Sequence, residues 1–390
     1  MSDKRVQSDS MAELKARHSS KWRRYAPDVL PMHVAEMDFQ IAEPIKAMLH
    51  DFVERNDLGY LGPIPELGEA FAGYAKRHWD WDVNPRNFKI ATDVAVATVE
   101  FLRAISKPGE RAVISSPVYS SFFRWIGEVG LTLVDAPLRH NESAEDAPHW
   151  HLDLQAIEDA FAAGAKYYLM CQPQNPVGRI HTREELIALA ELAEKYGVVV
   201  ISDEIHAPLT YRGEKFVPYL SVSDAARRTG VCITSSSKSY NLAGLKAAIL
   251  VWDSPEIAEL VKAIPDDTHW RSSILGAFSM TVAFNDCDEW LASCLATLDE
   301  NRHHMLAELH AKLPGVVAHL PQNGYLSMWE VSALNLGDDP AGAMLRDAKV
   351  AVVPGPDMGG ANYKNFVRFN FACSKAQITD AIERIAAIRK

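Results

Sequence analysis

Cysteine is scarce in this sequence, which has five among its 390 residues. They are Cys171, Cys232, Cys287, Cys294 and Cys373. None stands in a Cys-x-x-Cys pair, and an odd, scattered set provides neither a disulfide framework nor a structural zinc site. The 14 histidines likewise show no His-Glu-x-x-His spacing. We therefore expect reduced thiols in or near the core, and no bound metal ion.

Basic residues are also fewer than acidic ones, with 40 Lys and Arg against 51 Asp and Glu. No stretch clusters Lys and Arg as a nucleic-acid surface does. No apolar run approaches the roughly 20 residues of a membrane helix, and the first ten residues lack the apolar core of a signal peptide. We expect a cytoplasmic protein with neither nucleic-acid nor membrane partners.

The composition is that of a globular protein, with 48% hydrophobic and 23% charged residues. A chain of this length usually divides into more than one domain. The pattern changes after about residue 290 to helix, strand and helix again. We expect a large domain over 46–288, a small domain over 289–390, and an N-terminal segment, 1–45, that packs with the small domain.

Short β-branched runs alternate with helical patterns between about residues 85 and 250. The runs are 112–114, 131–134, 167–170, 198–201 and 231–234. This alternation predicts an α/β fold with a mostly parallel sheet covered by helices. One connecting helix has clear boundaries, because Thr182 and Glu185 form a capping box and Gly197 stands at its end.

Chemically active residues follow three of these runs. Asn175 comes after the 167 run, Asp203 after the 198 run, and Lys238 after the 231 run. In an open parallel sheet, ligands bind beyond the carboxyl ends of the strands. Considered alone, Asp203 would be interpreted as a helix cap and Lys238 as a solvated surface lysine. Asn175-Pro176 alone would indicate only a turn. Together they predict one shared site.

That combination meets the requirements of pyridoxal 5'-phosphate (PLP). The cofactor needs an amine to attach to, which Lys238 supplies, and a carboxylate such as Asp203 facing its pyridine nitrogen. Asn175 can donate to the phenolate oxygen. Ser235, Ser237 and a helix N-terminus can bind the phosphate.

The order of the motifs resembles the aspartate-aminotransferase-like superfamily of PLP enzymes, fold type I. The motifs are Asn-Pro-Val-Gly at 175–178, Asp-Glu-Ile-His at 203–206 and Ser-Lys-Ser-Tyr-Asn-Leu-Ala-Gly at 237–244. The resemblance covers nearly the whole chain. It implies a large PLP-binding domain with a mostly parallel seven-stranded sheet between helices. A smaller α+β domain would be formed by the C-terminal part and the N-terminal segment.

The same resemblance implies individual roles. The residues implied to bind the cofactor are Lys238, Asp203, Asn175, Tyr119, His206, Ser235, Ser237, Val94, Ala95 and Tyr60. The residues implied to bind the substrate are Arg368, Ala35 and Asn175. Tyr119 would stack on the cofactor ring, although it also suits a turn. Tyr60 would reach the phosphate of the neighbouring subunit, which implies a homodimer with the active site shared across the interface. The guanidinium of Arg368 would bind the substrate α-carboxylate through two parallel hydrogen bonds.

A narrower resemblance names a reaction. Residues 20–39, the motif at 203–206 and Gly-Tyr-Leu-Ser-Met-Trp at 324–329 are similar to the MalY/PatB group of carbon–sulfur β-lyases. The group cleaves L-cystathionine or related cysteine S-conjugates to a thiol, pyruvate and ammonia, so a small amino-acid thioether is the expected substrate. Lys238 would remove the Cα proton, and Tyr60 or Tyr119 would assist the departing sulfur.

Three positions depart from the pattern. Asp93 precedes the helix expected to bind phosphate, Lys246 stands where aminotransferases often carry Arg, and His33 stands where many relatives have Trp. His33 either shapes the substrate pocket or fills a packing position.

Two other functions stay open. One is a PLP-dependent aminotransferase of class I/II, which would keep the lysine, aspartate and arginine. The other is a regulatory or binding protein that retains the scaffold with little catalysis.

Overall fold

The computed structural model describes residues 5–141 and 149–389. Its strands are β1 Leu30–Pro31, β2 Phe88–Ala91, β3 Arg111–Ile114, β4 Thr132–Asp135, β5 Arg139–His140, β6 Trp150–His151, β7 Ala165–Cys171, β8 Val199–Asp203, β9 Gly230–Thr234, β10 Ala248–Val251, β11 Val317–Ala318, β12 Leu326–Glu330, β13 Val350–Ala351, β14 Val353–Pro354 and β15 Phe366–Asn370. Its α-helices are α1 Met11–Ala16, α2 Ser20–Arg23, α3 Glu43–Glu54, α4 Pro65–Trp79, α5 Val94–Ile105, α6 Ser121–Glu128, α7 Leu154–Ala162, α8 Arg183–Tyr196, α9 Asp224–Thr229, α10 Pro255–Lys262, α11 Asp267–Trp270, α12 Ile274–Asp286, α13 Asp288–Lys312, α14 Pro340–Arg346, α15 Pro356–Gly359 and α16 Lys375–Ala387.

A seven-stranded sheet forms the centre of the fold, in the order β2-β10-β9-β8-β7-β3-β4. The five strands from β9 to β4 are parallel, and β10 runs antiparallel to both of its neighbours. Alternate residues of β7 enter two different cores, since Tyr168 and Met170 belong to one buried cluster and Tyr167 and Leu169 to another. Helices therefore cover both faces. The predicted α/β fold with its mostly parallel seven-stranded sheet is confirmed.

Local sequence explains where α8 begins and ends. The Thr182 hydroxyl accepts from the Glu185 amide at 3.1 Å, and the Glu185 carboxylate accepts from the Thr182 amide at 2.7 Å. Gly197 ends the helix with φ of 66°, a left-handed conformation that favours glycine. The predicted capping box and stop are both confirmed. Because α8 leads directly into β8, these caps help to set where Asp203 lies.

A second sheet, antiparallel throughout, has the order β11-β12-β15-β14. The N-terminal segment is bound to this C-terminal part of the chain. β1 pairs in parallel with β13, and the Asn370 amide donates to the carbonyls of Val34 and Glu36 at 2.6 and 2.8 Å. These contacts agree with the domain division at 45 and 288, which stays a prediction.

The five cysteines are free and buried, as predicted. Across residues 5–141 and 149–389, no helix is both long and apolar enough to cross a membrane.

Candidate active site

A cavity of about 470 Å³ lies beyond the carboxyl ends of β7, β8 and β9. Ten of the residues predicted from the sequence line it: Ala35, Val94, Ala95, Tyr119, Asn175, Asp203, His206, Ser237, Lys238 and Arg368. Two do not. Ser235 is buried away from the cavity lining, and Tyr60 lies on the surface with 86% of its area exposed.

The amine of Lys238 is held at the cavity wall. Its Nζ donates to the Ala35 carbonyl at 3.0 Å. Desolvation in this setting lowers the pKa of Lys238 to about 8, and the positive charge of Arg368 contributes in the same direction. A substantial fraction of the amine is therefore neutral near pH 7.5, as a nucleophile or a proton acceptor must be.

Asp203 ends β8 with a buried carboxyl group. One of its oxygens accepts from the Ile205 amide at 3.1 Å. Burial raises the pKa of Asp203 to about 7, although the Ile205 amide and the charge of Lys238 act in the opposite direction. A carboxylate buried in this way requires a cation or strong donor in the cavity to stay ionised.

Arg368 projects into the cavity from β15. Its Nη1 donates to Asn175 Oδ1 at 3.3 Å, and its Nη2 donates to the His33 carbonyl at 2.8 Å. Its Nε is buried and has no hydrogen-bond partner among residues 5–141 and 149–389. Burial lowers the pKa of the guanidinium to about 10, so it stays charged at neutral pH. A positioned, incompletely satisfied guanidinium suits a planar carboxylate ligand.

The N-terminus of α5 forms another part of the wall. As the first residues of the helix, Val94 and Ala95 carry amide groups without intrahelical acceptors, which favours an anion. Asp93 is the N-cap, and its carboxylate accepts from the Val96 amide at 2.9 Å. Its other oxygen pairs with Lys246 Nζ, also at 2.9 Å. Asp93 thus has a capping role and its charge is balanced by Lys246.

Ser235 and Ser237 differ in their availability. The Ser235 hydroxyl donates to the Ala247 carbonyl at 2.6 Å and accepts from the Ser237 amide at 3.0 Å. The hydroxyl proton of Ser235 is therefore already used in a hydrogen bond within the protein. Ser237 lines the cavity, so it can contact a ligand there.

Tyr119 and His206 complete the predicted set. The ring of Tyr119 packs edge-on against Trp125, with centroids 5.9 Å apart. Burial lowers the pKa of His206 to about 3, with Lys238 and Arg368 adding to the effect, so its imidazole is neutral. A neutral imidazole can donate one hydrogen bond to a ligand oxygen.

A model of the family "Aminotransferase class I and II" matches residues 27–385. The chain belongs to this family.

Relatives of this aminotransferase-family chain include proteins named for lyase activity. The protein named cystathionine β-lyase of Corynebacterium glutamicum is 32% identical over 97% of this chain and 98% of its own. Cystathionine β-lyase PatB of Bacillus subtilis is 30% identical, with the same coverage of both chains. Among solved structures, cystalysin from Treponema denticola, which contains PLP, superimposes with a TM-score of 0.90 at 24% identity. That likeness spans 100% of this chain and 99% of cystalysin, and it shows a shared fold.

The donor set of this family member fits PLP. A pyridinium would supply the cation that the buried Asp203 lacks, and the amides at the start of α5 with Lys246 would suit a phosphate. The Lys238 amine has the lowered pKa that attachment to an aldehyde requires. The carboxyl, the helix N-terminus with its lysine, and the amine thus each match a different part of the cofactor.

Sequence reasoning missed several residues of the cavity wall. Arg24, Tyr25, Arg124, Trp125 and Cys171 all line it. Arg124 could have been found, since it lies on α6, which begins two residues after Tyr119. Arg24 and Tyr25 carry no comparable local signal, because they depend on how the N-terminal segment folds against the sheet.

Proposed function

We propose that this chain is a PLP-dependent carbon–sulfur β-lyase. It cleaves L-cystathionine or a related cysteine S-conjugate, with addition of water, to a thiol, pyruvate and ammonia. The observation that carries the proposal is the presence of Lys238, Asp203 and Arg368 in one cavity. Relatives at 30% and 32% identity that are named cystathionine β-lyases support the choice of reaction.

The residues already placed in the cavity would hold the cofactor. Lys238 would provide the attachment point, Asp203 would pair with the pyridine nitrogen, and Asn175 and His206 would donate to the ring oxygen. Ser237, with the amides of Val94 and Ala95, would bind the phosphate, and Tyr119 would pack against the ring. When bound, PLP accepts the electron pair left as the Cα–H bond of the substrate breaks.

The chain's own groups position the substrate and move its protons. Arg368 binds the α-carboxylate, held in place by Asn175 Oδ1 and the His33 carbonyl. The Ala35 carbonyl lies beside the substrate position and keeps Lys238 Nζ at the wall. Lys238 Nζ takes the proton from Cα, and the C–S bond then breaks with departure of the thiolate. The hydroxyl of Tyr119, or that of Tyr60 from a second subunit, protonates the sulfur.

The working form is a homodimer with Tyr60 completing the site of the other subunit. The support is that Tyr60 lies outside its own cavity and exposes 86% of its area, beside Leu58 with 57% exposed. Large side chains this exposed on one short segment are typical of an interface. Mixing Tyr60→Phe with Lys238→Ala protein should give more activity than the two variants show separately, through dimers that have one intact site, whereas wild-type activity of Tyr60→Phe alone would contradict the shared site.

Pyruvate release tests the reaction itself. The holoenzyme should release pyruvate and ammonia from L-cystathionine without any keto-acid acceptor, measured by coupling to lactate dehydrogenase. Lys238→Ala should abolish both this turnover and the visible absorbance of the attached cofactor. Amino-group transfer that requires an added keto acid would instead identify an aminotransferase, and cofactor absorbance unchanged by any substrate would indicate a binding protein.

A further inference from the structure

Asn241 connects the loop that carries Lys238 to the N-terminal segment facing it. The lysine loop comprises residues 236–242, and the facing segment comprises residues 33–39. Asn241 has φ of 60°, a left-handed conformation that asparagine adopts more readily than most residues. Its side chain bonds outside the loop, to the backbone of the facing segment.

The Asn241 carboxamide pairs with both polar groups of the Met37 backbone. Its Oδ1 accepts from the Met37 amide at 2.9 Å, and its Nδ2 donates to the Met37 carbonyl, also at 2.9 Å. Nδ2 lies 3.4 Å from the Phe39 carbonyl as well. Met37 is 1% exposed, so its amide depends on a protein acceptor rather than on water. The paired bonds fix the distance between the lysine loop and the facing segment.

The reactive amine belongs to the same line of contacts. Lys238 Nζ donates to the Ala35 carbonyl at 3.0 Å, two residues before Met37. Lys238 and Asn241 therefore hold the facing segment at two neighbouring points. If Met37 moved away from the loop, the Ala35 carbonyl would move with it.

A second cavity, of about 860 Å³, adjoins the candidate active site here. Ala243 and Lys246 line both cavities. Met37 and Asn241 line the second cavity, whose wall also includes the exposed Gln40, so solvent reaches it. The contact between Met37 and Asn241 thus lies where the two cavities meet.

The Lys238 amine lies on the active-site side of that contact, together with Ala35. Burial is the largest cause of its lowered pKa of about 8, ahead of the positive charge of Arg368. The titratable and charged groups around the amine are Arg368 on β15, Asp203 on β8, His206 after β8, Glu36 on the facing segment, Lys246 before β10 and Tyr325, whose hydroxyl donates to the same Ala35 carbonyl. Arg368 and Lys246 lower the pKa of Lys238, whereas Glu36 and Asp203 raise it. Since burial exceeds each of these charges in effect, entry of water would change this pKa most.

We propose that Asn241 is a positioning residue for Lys238, which holds the 33–39 segment against the lysine loop and keeps the solvent of the second cavity away from the reactive amine. The inference rests on the role of Lys238 proposed above and adds to it the side chain that keeps the amine desolvated. Asn241 acts through Met37 and Ala35.

Two glycine variants test whether the contact depends on Asn241. Asn241→Gly removes both bonds to Met37 and tolerates the left-handed backbone. The Met37 carbonyl still accepts from Arg17 at 3.1 Å, so the amide is the group that loses its partner. Asn335→Gly is the matched control, because Asn335 is also left-handed, with φ of 53°, and lies on the surface. Hydrogen exchange of the Met37 amide, followed by mass spectrometry, should accelerate in Asn241→Gly alone; unchanged exchange would overturn the inference.

The pKa of Lys238 is measured in the cofactor-free protein by competitive acetylation across pH 6–11, with the Lys238 peptide quantified by mass spectrometry. Asn241→Gly should raise this pKa by about one unit or more, toward the ordinary value of about 10.4. For a rise of one unit, the neutral fraction at pH 7.5 falls from about a quarter to about 3%. PLP should then attach about eightfold more slowly at pH 7.5, and at the wild-type rate above about pH 10.

A role in stability alone would lower the melting temperature of Asn241→Gly and leave the pKa of Lys238 unchanged. Loss of the Ala35 acceptor without entry of water would lower the pKa. Either result would overturn the inference. Asn241→Ser, a milder change that leaves one hydroxyl, should raise the pKa to a smaller extent, and it replaces the glycine variant if that protein does not fold.

These measurements are independent of turnover. In the holoenzyme, the acid limb of kcat for pyruvate release should move to higher pH in Asn241→Gly but not in Asn335→Gly. If no thioether yields pyruvate, the lyase proposal fails, while the acetylation still decides the role of Asn241. If pyruvate is released and neither the acid limb nor the pKa of Lys238 differs from the wild type, the lyase function stands and the inference about Asn241 fails.

Discussion

Replacing Asp203 with asparagine is expected to stabilise the cofactor-free protein above pH 7, and to weaken cofactor binding. The carboxyl of Asp203 has a pKa of about 7 in the fold, whereas an unfolded aspartate titrates near 4. Between these values the folded protein holds a proton that the unfolded chain has lost. Stability therefore falls as pH rises through this window, and the loss is complete above about pH 7.

The size of this destabilisation follows from the difference between the folded and unfolded pKa of Asp203. About three pKa units at roughly 1.4 kcal/mol each lower the free energy of unfolding of the cofactor-free wild type by at most ~4 kcal/mol at pH 8. Below about pH 4.5 the loss is small. Asparagine has nearly the same shape, and its Oδ1 can still accept from the Ile205 amide. It carries no charge to desolvate. The cofactor-free variant should therefore melt several degrees above the wild type at pH 8, with a difference that shrinks toward pH 4.5.

Calorimetric melting of the cofactor-free proteins across pH 4.5–8 measures this difference. Glu204 provides a matched control, because burial also raises its pKa to about 7, yet it does not line the cavity. Glu204→Gln should likewise stabilise the cofactor-free protein as pH rises. Adding PLP should raise the melting temperature of the wild type and of Glu204→Gln more than that of Asp203→Asn.

Two results would refute this reasoning. If cofactor-free Asp203→Asn melts no higher than the wild type at pH 8, the carboxyl is not desolvated as the structure indicates. If PLP raises the melting temperature of all three proteins equally, Asp203 does not pair with the cofactor.

Three further changes have distinct expected outcomes. Arg368→Lys should lower kcat/KM for pyruvate release about 10- to 100-fold, since a lysine cannot form two parallel hydrogen bonds with the α-carboxylate; unchanged kcat/KM would argue against this binding role. Asp93→Asn keeps an oxygen to cap α5 while freeing Lys246, so PLP should bind the cofactor-free protein several-fold more tightly in a fluorescence titration; weaker binding would contradict the placement of the phosphate. Thr182→Ala should lower stability by about 1 kcal/mol through loss of the cap, measured as a lower melting temperature with normal cofactor absorbance.

The sequence predicted those parts of the fold and site that depend on local pattern. The capping box of Thr182 and Glu185 is satisfied within four residues, so no distant contact was needed to foresee it. The convergence of Asn175, Asp203 and Lys238 was foreseeable for another reason. Each follows a parallel strand, and such strands end at the same edge of the sheet.

Contacts across long stretches of chain were not foreseeable in this way. The bond from Lys238 to Ala35 joins residues 203 positions apart, and the role of Ala35 came from resemblance. The commitment of the Ser235 hydroxyl to the Ala247 carbonyl also depends on the packing of two neighbouring strands. Hydroxyl content alone could not distinguish Ser235 from Ser237, which does line the cavity.

The N-terminal segment from His33 to Glu36 connects three parts of the molecule through its carbonyl oxygens. His33 holds Arg368, Ala35 accepts from both Lys238 and Tyr325, and Val34 and Glu36 accept from Asn370. These carbonyls lie on consecutive residues of one backbone, so none of the bonded partners can shift without pulling on the rest. The segment thus couples these groups mechanically. A displacement of the C-terminal sheet would move the Lys238 amine and the Arg368 guanidinium together.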